Sequence, residues 1–450
     1  MTKGEMNRGV VFLVLLFAAM LLYPAQALGA DELTEIKQQM SQLMERIAQI
    51  ENNQKLRERE LSQQIQQLSE KKVEPVVIPD WVKNVKISGD FRYRHEQIDA
   101  EHSSSVRWYG GQARDRIRVR LMLEAIVNDQ WDVAFRLASG NAHVDDAYEG
   151  DPISTNQELT HAFSRKYIWL DLAYFNWHPV WAKGLNVYGG KIPNPFYKAG
   201  GSSNEMIWDG DLTPEGIGTT YLRPMGDKDE LRFAAGGFWV NEVHDTTTAT
   251  YADLSLWGAQ AYWKHMFEKP TYLLFGASYY DYGNIQGASA LATTWRTSAT
   301  TRFFGNTYTS GNKYRYDYDL LELFAEYGFK FVGLPMAVYG DWVKNTVAPS
   351  GAATGWLLGT TLNKAIDPGS WELNYTYREI DTDAVVGQFN SSDFMGGGTD
   401  GRGHQVGLTY QVAKNLQTAL TYALCERDAG ANGRSLDYRR FQADVLLKFK

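Results

Sequence analysis

The segment Arg114-Asp115-Arg116-Ile117-Arg118-Val119-Arg120-Leu121-Met122-Leu123-Glu124-Ala125-Ile126-Val127 decides the fold. From Ile117 to Val127 every odd position is apolar. Arg114, Arg116, Arg118 and Arg120 occupy even positions, and Glu124 follows in the same phase. A period of two belongs to a β-strand, whose successive side chains point to opposite faces. One face of this strand suits hydrocarbon. The other carries four like charges, which need water, counter-ions or opposing acids. A soluble antiparallel sheet with one solvated face would serve, and so would a barrel wall between lipid and a wet lumen.

The flanking sequence favours the barrel. Ile87, Phe91 and Tyr93 alternate with Asp90, Arg92 and Arg94, and Trp371, Leu373, Tyr375 and Tyr377 with Glu372, Asn374, Thr376 and Arg378. Val406, Leu408, Tyr410 and Val412 repeat the pattern. So do Phe441, Ala443, Val445, Leu447 and Phe449 against Gln442, Asp444, Leu446 and Lys448. About sixteen such segments occur, each near the length a tilted strand needs to cross a bilayer. Short connections are expected near 128–130, 177–184, 226–229, 266–269, 332–334, 364–369 and 413–415. Longer ones are expected near 97–113, 141–164, 193–216, 242–252, 283–315, 346–353, 381–402 and 428–435. Short and long alternate. A sandwich has no reason to sort its loops by parity, whereas an outer-membrane barrel has short turns on one side and long loops on the other. The expectation is an all-β fold, an antiparallel transmembrane barrel of about sixteen strands over residues 83–450.

The N-terminal region differs. Lys3 and Arg8 precede an apolar run, Val10 to Leu22, and small residues surround Ala27 and Ala30, which reads as an export signal over 1–30. Residues 31–72 lack Gly and Pro and carry a heptad: Leu33, Met40 and Ile47 at one seam, Ile36, Leu43 and Ile50 at the other. A stutter around Asn52-Asn53-Gln54 precedes Leu61, Ile65 and Leu68. This predicts a coiled coil, roughly 60 Å long if continuous, placed in the periplasm and able to touch the cell wall. Residues 73–82, with Pro75 and Pro79, form a linker.

Composition narrows the function. Mean hydropathy is -0.39 with 22% charged residues, which excludes a helical membrane bundle. Aromatics reach 13%, including 14 Trp and 26 Tyr, which suits rings at two membrane interfaces. Net charge of -8 argues against a nucleic-acid partner. The single cysteine, Cys425, forms no internal disulfide and reads as a small buried or lumen-facing side chain. The eight His are scattered without metal-ligand spacing, no Gly-x-Ser-x-Gly elbow exists, and the glycines at 396, 398 and 401 lie in a long connection with no following helix. No enzyme chemistry, cofactor or metal is expected.

The useful constellation is electrostatic. In a barrel, Arg92 and Arg94 face inward beside Arg114, Arg116, Arg118 and Arg120, and Arg136 on the next strand joins them. Glu205, Asp209, Asp211 and Glu215 lie in the third long loop. Folded into the lumen, that loop would set acids against arginines and create a transverse field on passing ions. Alternatively the arginines pair with acids on neighbouring strands and the loop lies on top. Glu322 and Glu326 face inward on a later strand, so the lumen is not uniformly basic.

Gly190-Lys191-Ile192-Pro193-Asn194-Pro195-Phe196 and Ile207-Trp208-Asp209-Gly210-Asp211-Leu212-Thr213-Pro214-Glu215-Gly216 resemble the putative porins of bacterial outer membranes. The layout resembles more loosely the trimeric phosphate-selective porins. The resemblance implies a 16-stranded trimeric diffusion channel with an inward-folded third loop. Such barrels end on an aromatic residue, whereas here Phe449 is followed by Lys450. The expected function is a passive channel for small hydrophilic solutes and ions, with mild anion preference, in outer-membrane lipid. The alternatives are an oxyanion-specific, phosphate-like channel and a structural tether between outer membrane and cell wall.

Overall fold

The computed structural model describes residues 30–70, 84–102, 105–141, 150–160, 162–242, 253–291, 302–427 and 435–450. The chain divides into two units, Met1–Ile78 and Pro79–Lys450. In the first, α1 (Ala30–Glu70) is one helix of 41 residues. Strong helix formers and the lack of Gly and Pro allow this length. Leu43, Ile47, Ile50, Leu61 and Ile65 are exposed along it. The expected signal, apart from Ala30, and the linker 73–82 lie outside the described residues.

The second unit is a closed antiparallel barrel of sixteen long strands. In chain order these are β1 (Val85–His102), β2 (Ser105–Asn128), β3 (Trp131–Ser139), β5 (Ile168–Trp177), β6 (Leu185–Lys191), β7 (Glu215–Met225), β8 (Asp229–Asn241), β9 (Leu254–Met266), β10 (Tyr272–Gly283), β11 (Asp319–Phe331), β12 (Leu334–Asn345), β13 (Thr354–Asn363), β14 (Trp371–Ile380), β15 (Gly401–Ala413), β16 (Leu416–Arg427) and β17 (Leu436–Phe449). The two-residue β4 (Gln157–Glu158) pairs beside Arg116 and Ile117 of β2. Closure is direct: Gly89 of β1 stands opposite Leu121 of β2 on one side and Phe449 of β17 on the other. No edge is left for further pairing.

The period-two pattern sorts the side chains as expected. Val119, Leu121, Leu123, Phe135, Leu137, Phe275, Leu408 and Leu447 are exposed on the outer face, where lipid covers them. On β1 and β2 this apolar zone gives way to polar contacts at Asp115. That carboxylate accepts from Tyr93 Oη at 2.9 Å and lies 3.0 Å from His95 Nδ1. Aromatic clusters mark the short-turn end: Trp131 stacks with Trp177 at 6.0 Å, and His265 meets Phe267 edge-on at 4.6 Å. At the other end Trp356, Tyr377 and His404 form a second group, with centroids 5.1 Å and 4.8 Å apart. Rings at both rims suit a membrane interface.

Seven connections are short and lie close to the expected places, and the long ones alternate with them. One expectation fails. The described residues of 97–113, which leave out 103–104, are not a loop, because β1 runs to His102 and β2 begins at Ser105, with 18 and 24 residues respectively. Asp99, Glu101 and His102 erase the apolar alternation, yet backbone pairing continues, Ile98 opposite Gln112 and Ala100 opposite Tyr109. Above the membrane both faces of a hairpin are wet, so polarity reads as loop where the ladder in fact extends.

The apolar core sits inside the barrel. Ile192, Phe196, Met206, Ile207 and Trp208 of the 192–214 loop pack on inward Tyr262, Tyr280, Phe324 and Tyr339. Glycine makes room for this: a Cβ at Gly258 would stand 2.5 Å from the Phe196 ring and 2.9 Å from that of Tyr280.

Candidate functional site

The even residues of β1 and β2 build one inner wall. Cross-strand register sets Asp90 opposite Arg120, Arg92 opposite Arg118, Arg94 opposite Arg116 and Glu96 opposite Arg114. Glu96 is fully buried and holds three arginines: Arg114 and Arg440 bond to it directly, and Arg116 Nη1 lies 3.8 Å away. Gln442 Nε2 donates to the same carboxylate at 2.9 Å. Asp90 accepts from Arg118 Nε at 2.9 Å and Arg120 Nε at 2.8 Å. Arg94 forks onto Asp444, with Nε at 2.7 Å and Nη2 at 2.8 Å. Bidentate charge-assisted bonds of this kind fix a guanidinium in place. Arg136, on β3, pairs with Asp171 of β5.

Three loop segments fold against this wall. In 150–160, Glu158 binds Arg114 and Asn156 Oδ1 accepts from Arg92 Nη2 at 2.6 Å. In 192–214, Asp211 lies 3.5 Å from Arg120 Nη1 and accepts from Thr155 N at 3.0 Å and Oγ1 at 2.9 Å. In 381–400, Asp393 reaches Arg94 Nη1 at 2.9 Å and Arg440 Nη2 at 2.8 Å. The last two loops also grip each other. Asp209 N donates to Phe389 O at 2.7 Å, Ser392 N to Asp209 Oδ2 at 2.8 Å, and Ser391 Oγ to Glu205 Oε2 at 3.0 Å.

The loop carboxylates sit in contrasting environments. Burial pushes Asp209 well above the usual carboxylate range, and neighbouring Glu205 and Asp211 add to the shift. Glu205 is also raised, by burial first and then by Asp393. Burial acts on Asp211 in the same sense, but Arg118 and Arg120 outweigh it and hold the group low. At Asp393 burial is again overcome, here by Arg440, Arg94 and Arg92, and the carboxyl lies well below its ordinary range.

The 192–214 loop reaches the opposite wall. Tyr197 Oη and Gly200 N donate to Glu326 Oε2, each at 2.9 Å, and Tyr197 N donates to Gln260 Oε1 at 2.7 Å. Asn204 Nδ2 donates to Asp341 Oδ2 at 2.6 Å. Trp208 packs edge-on to Tyr280 at 5.1 Å and Phe196 does so at 4.9 Å. The loop therefore lies inside the barrel and touches inward side chains from β2 to β12.

An all-antiparallel closed wall, long loops on one side only and a loop folded inside together describe a porin. A family model described as putative porin matches residues 107–316 and 344–449, more than half the chain. The chain belongs to the putative porin family. It is a porin-type passive diffusion channel, non-enzymatic in kind, of the bacterial outer membrane. Among solved structures, its backbone is similar to that of Pseudomonas putida OprB in a high-pH structure. The TM-score is 0.51 at 10% identity, over 82% of this chain and 95% of that one. A triple mutant of the Rhodopseudomonas blastica porin aligns with a TM-score of 0.45 at 12% identity, over 81% of this chain and 100% of that one. The first likeness is one of fold. No curated protein matches the sequence.

In this porin, Arg92, Arg94, Arg114, Arg116, Arg118 and Arg120 stand together on one inner wall, with Arg136 paired two strands along. Glu205, Asp209 and Asp211 meet in the inward loop, but Glu215 does not join them. It opens β7, is exposed, and pairs with Lys191 at 2.7 Å across the β6–β7 register. Arg378, which alternation puts on the inner face, is buried and donates from Nη1 to Glu205 O at 3.3 Å. Arg440 shares the even phase of Gln442 and Asp444, so alternation places it inward too, whereas the inward fold of the 381–400 loop has no periodic signal. Nothing in periodicity could have brought Asp393 to Arg94, because that contact depends on how a loop folds back.

Proposed function

We propose that the barrel is a water-filled channel for passive diffusion of small hydrophilic solutes and ions, with a mild preference for anions. The observation that carries this reading is the inward arginine wall faced by loops folded into the lumen. Arg92, Arg94, Arg114, Arg116, Arg118, Arg120 and Arg136 take the pore-lining basic role, and Glu205, Asp209 and Asp211 the acidic role of the constricting loop. Fixed charges of opposite sign across a narrow zone act on ions and dipoles as they pass. The preference is mild because acids offset most of the arginine charge. In planar bilayers under a KCl gradient, the reversal potential should report anion selectivity, and Arg116, Arg118 and Arg120 replaced together by Ser should shift it toward cations. A cation-selective wild type would overturn the reading.

A second reading, an oxyanion-specific channel, is favoured by the density of guanidiniums, and saturable conductance at low phosphate would distinguish it. The exposed seam of α1, with Leu43, Ile47 and Ile50, favours self-association. We assign α1 to a periplasmic coiled coil of a homotrimer, preceded by a cleaved export signal and placed to touch the cell wall. Envelope fragility on deletion of this segment, with conduction unchanged, would mark a tethering role.

A further inference from the structure

The register of β1 and β2 leaves two guanidiniums short of an anion. Arg92 faces Arg118 and Arg94 faces Arg116 across the strands. Directly opposed like charges repel, so each of the four must find a carboxylate elsewhere. Arg94 finds Asp444 and Asp393, and Arg118 turns to Asp90. Arg92 has no carboxylate within salt-bridge distance among the described residues. Its Nη2 donates to Asn156 at 2.6 Å, and its buried Nε has no hydrogen-bond partner. Arg116 is 6% exposed and approaches Glu96 only to 3.8 Å, and Arg114 and Arg440 already engage that carboxylate. Arg116 Nη2 donates to Ser154 Oγ at 3.2 Å, and its Nε also lacks a partner. Asn156 Nδ2 donates to the same Ser154 Oγ at 3.2 Å, so one polar turn holds both guanidiniums.

We propose that Arg92 and Arg116, held by Asn156 and Ser154, form a binding site for one inorganic oxyanion of the phosphate or sulfate class. Two planar guanidiniums, each with an unpartnered Nε–H, offer directional donors that suit an oxyanion's several acceptors better than a spherical halide. The bound anion supplies the charge that the cross-strand register withholds. The acids that act on the two, Asp444 and Asp393 at Arg92 and Glu96 and Asp393 at Arg116, are each engaged by other arginines, so the anion does not have to displace a carboxylate. This rests on the reading of the lumen as an anion-favouring path, and binding measured without conduction separates the two.

The test is calorimetric titration of the detergent-purified full chain with sodium phosphate, and separately with sodium sulfate, at constant ionic strength. The wild type should give a saturable isotherm near one site per chain for at least one of them. Arg92→Gln should weaken it by about tenfold or more, the scale of one lost charge-assisted bond. Arg402→Gln, which breaks an exposed ion pair with Glu426 away from the site, should bind as the wild type does. If heat-modifiability gels show Arg92→Gln unfolded, Asn156→Ala, which removes the Arg92 tether, should weaken binding in a folded barrel. Absence of any saturable isotherm in folded wild type overturns the site. So does wild-type binding by Asn156→Ala together with folded Arg92→Gln. An anion-selective channel without an isotherm removes this site and leaves the channel reading. An isotherm in a cation-selective channel removes the selectivity and leaves the site.

Discussion

Glu96 and Asp209 show how differently two buried carboxylates can be held. Glu96 is surrounded by arginines, and Glu96→Gln leaves Arg114 and Arg440 in a buried cluster without their shared anion. Loss of one partner of a buried pair costs about 3–5 kcal/mol. Urea unfolding in detergent should show a fall of that order, and an unchanged midpoint would mean that water already reaches the cluster. Asp209 is raised by burial and by its acidic neighbours, so the folded protein retains a proton that the unfolded chain would release. The sign follows: its contribution is full below the ordinary carboxylate pKa and fades as pH rises through the raised value. Asp393 behaves oppositely. It is held low by Arg440, Arg94 and Arg92 despite burial, so its contribution is full above the ordinary pKa and is lost as pH falls through the depressed one. Amide protection factors over residues 205–212, taken relative to intrinsic base-catalysed exchange, should therefore fall toward alkaline pH, and Asp209→Asn should flatten that fall. Equal slopes in both proteins would exclude Asp209 as the cause.

At the scale of the element, the 192–214 loop is held by rings more than by charge. Trp208 is 2% exposed, between Tyr280 and Phe196. Trp208→Ala should cost about 3–5 kcal/mol of local docking energy through the cavity it leaves. The closed wall does not depend on this ring, so the barrel should stay resistant to SDS while single-channel conductance and its noise rise. Quiet, wild-type conductance would mean that the polar contacts of the loop, to Glu326, Asp341, Gln260, Arg120 and the 381–400 loop, hold it without the ring. The loop's composition foretold its acids but not its anchors. Trp208 and Phe196 read as ordinary loop aromatics until the barrel places Tyr280 and Gly258 beneath them. The 97–113 stretch teaches the converse, since polarity on both faces hides a ladder that needs only backbone partners.

For the whole molecule, the barrel closes through β1 and β17, with Glu96 joined to Arg440 and Gln442 across the seam between the first and last strands. Deletion of residues 31–72 removes none of these contacts. Conductance per barrel should be unchanged, while, for the homotrimer proposed above, chemical cross-linking should yield less trimer once the seam of α1 is gone. Undiminished trimer would place the subunit contacts in the barrel wall.

The order of dependence is physical. Alternation and loop parity are local properties, written residue by residue, because lipid outside and water inside act on every strand alike. They were enough to determine a sixteen-stranded barrel, its turns and the inward face of Arg92 to Arg120. Which acid each arginine meets is a long-range matter. Arg94 joins Asp444 across 350 positions, and Asp393 arrives on a loop that no periodicity governs. Only the folded chain decided that Glu215 stays at the rim, that a second loop enters the lumen, and that Arg92 is left without a carboxylate and Arg116 with only a distant share of Glu96.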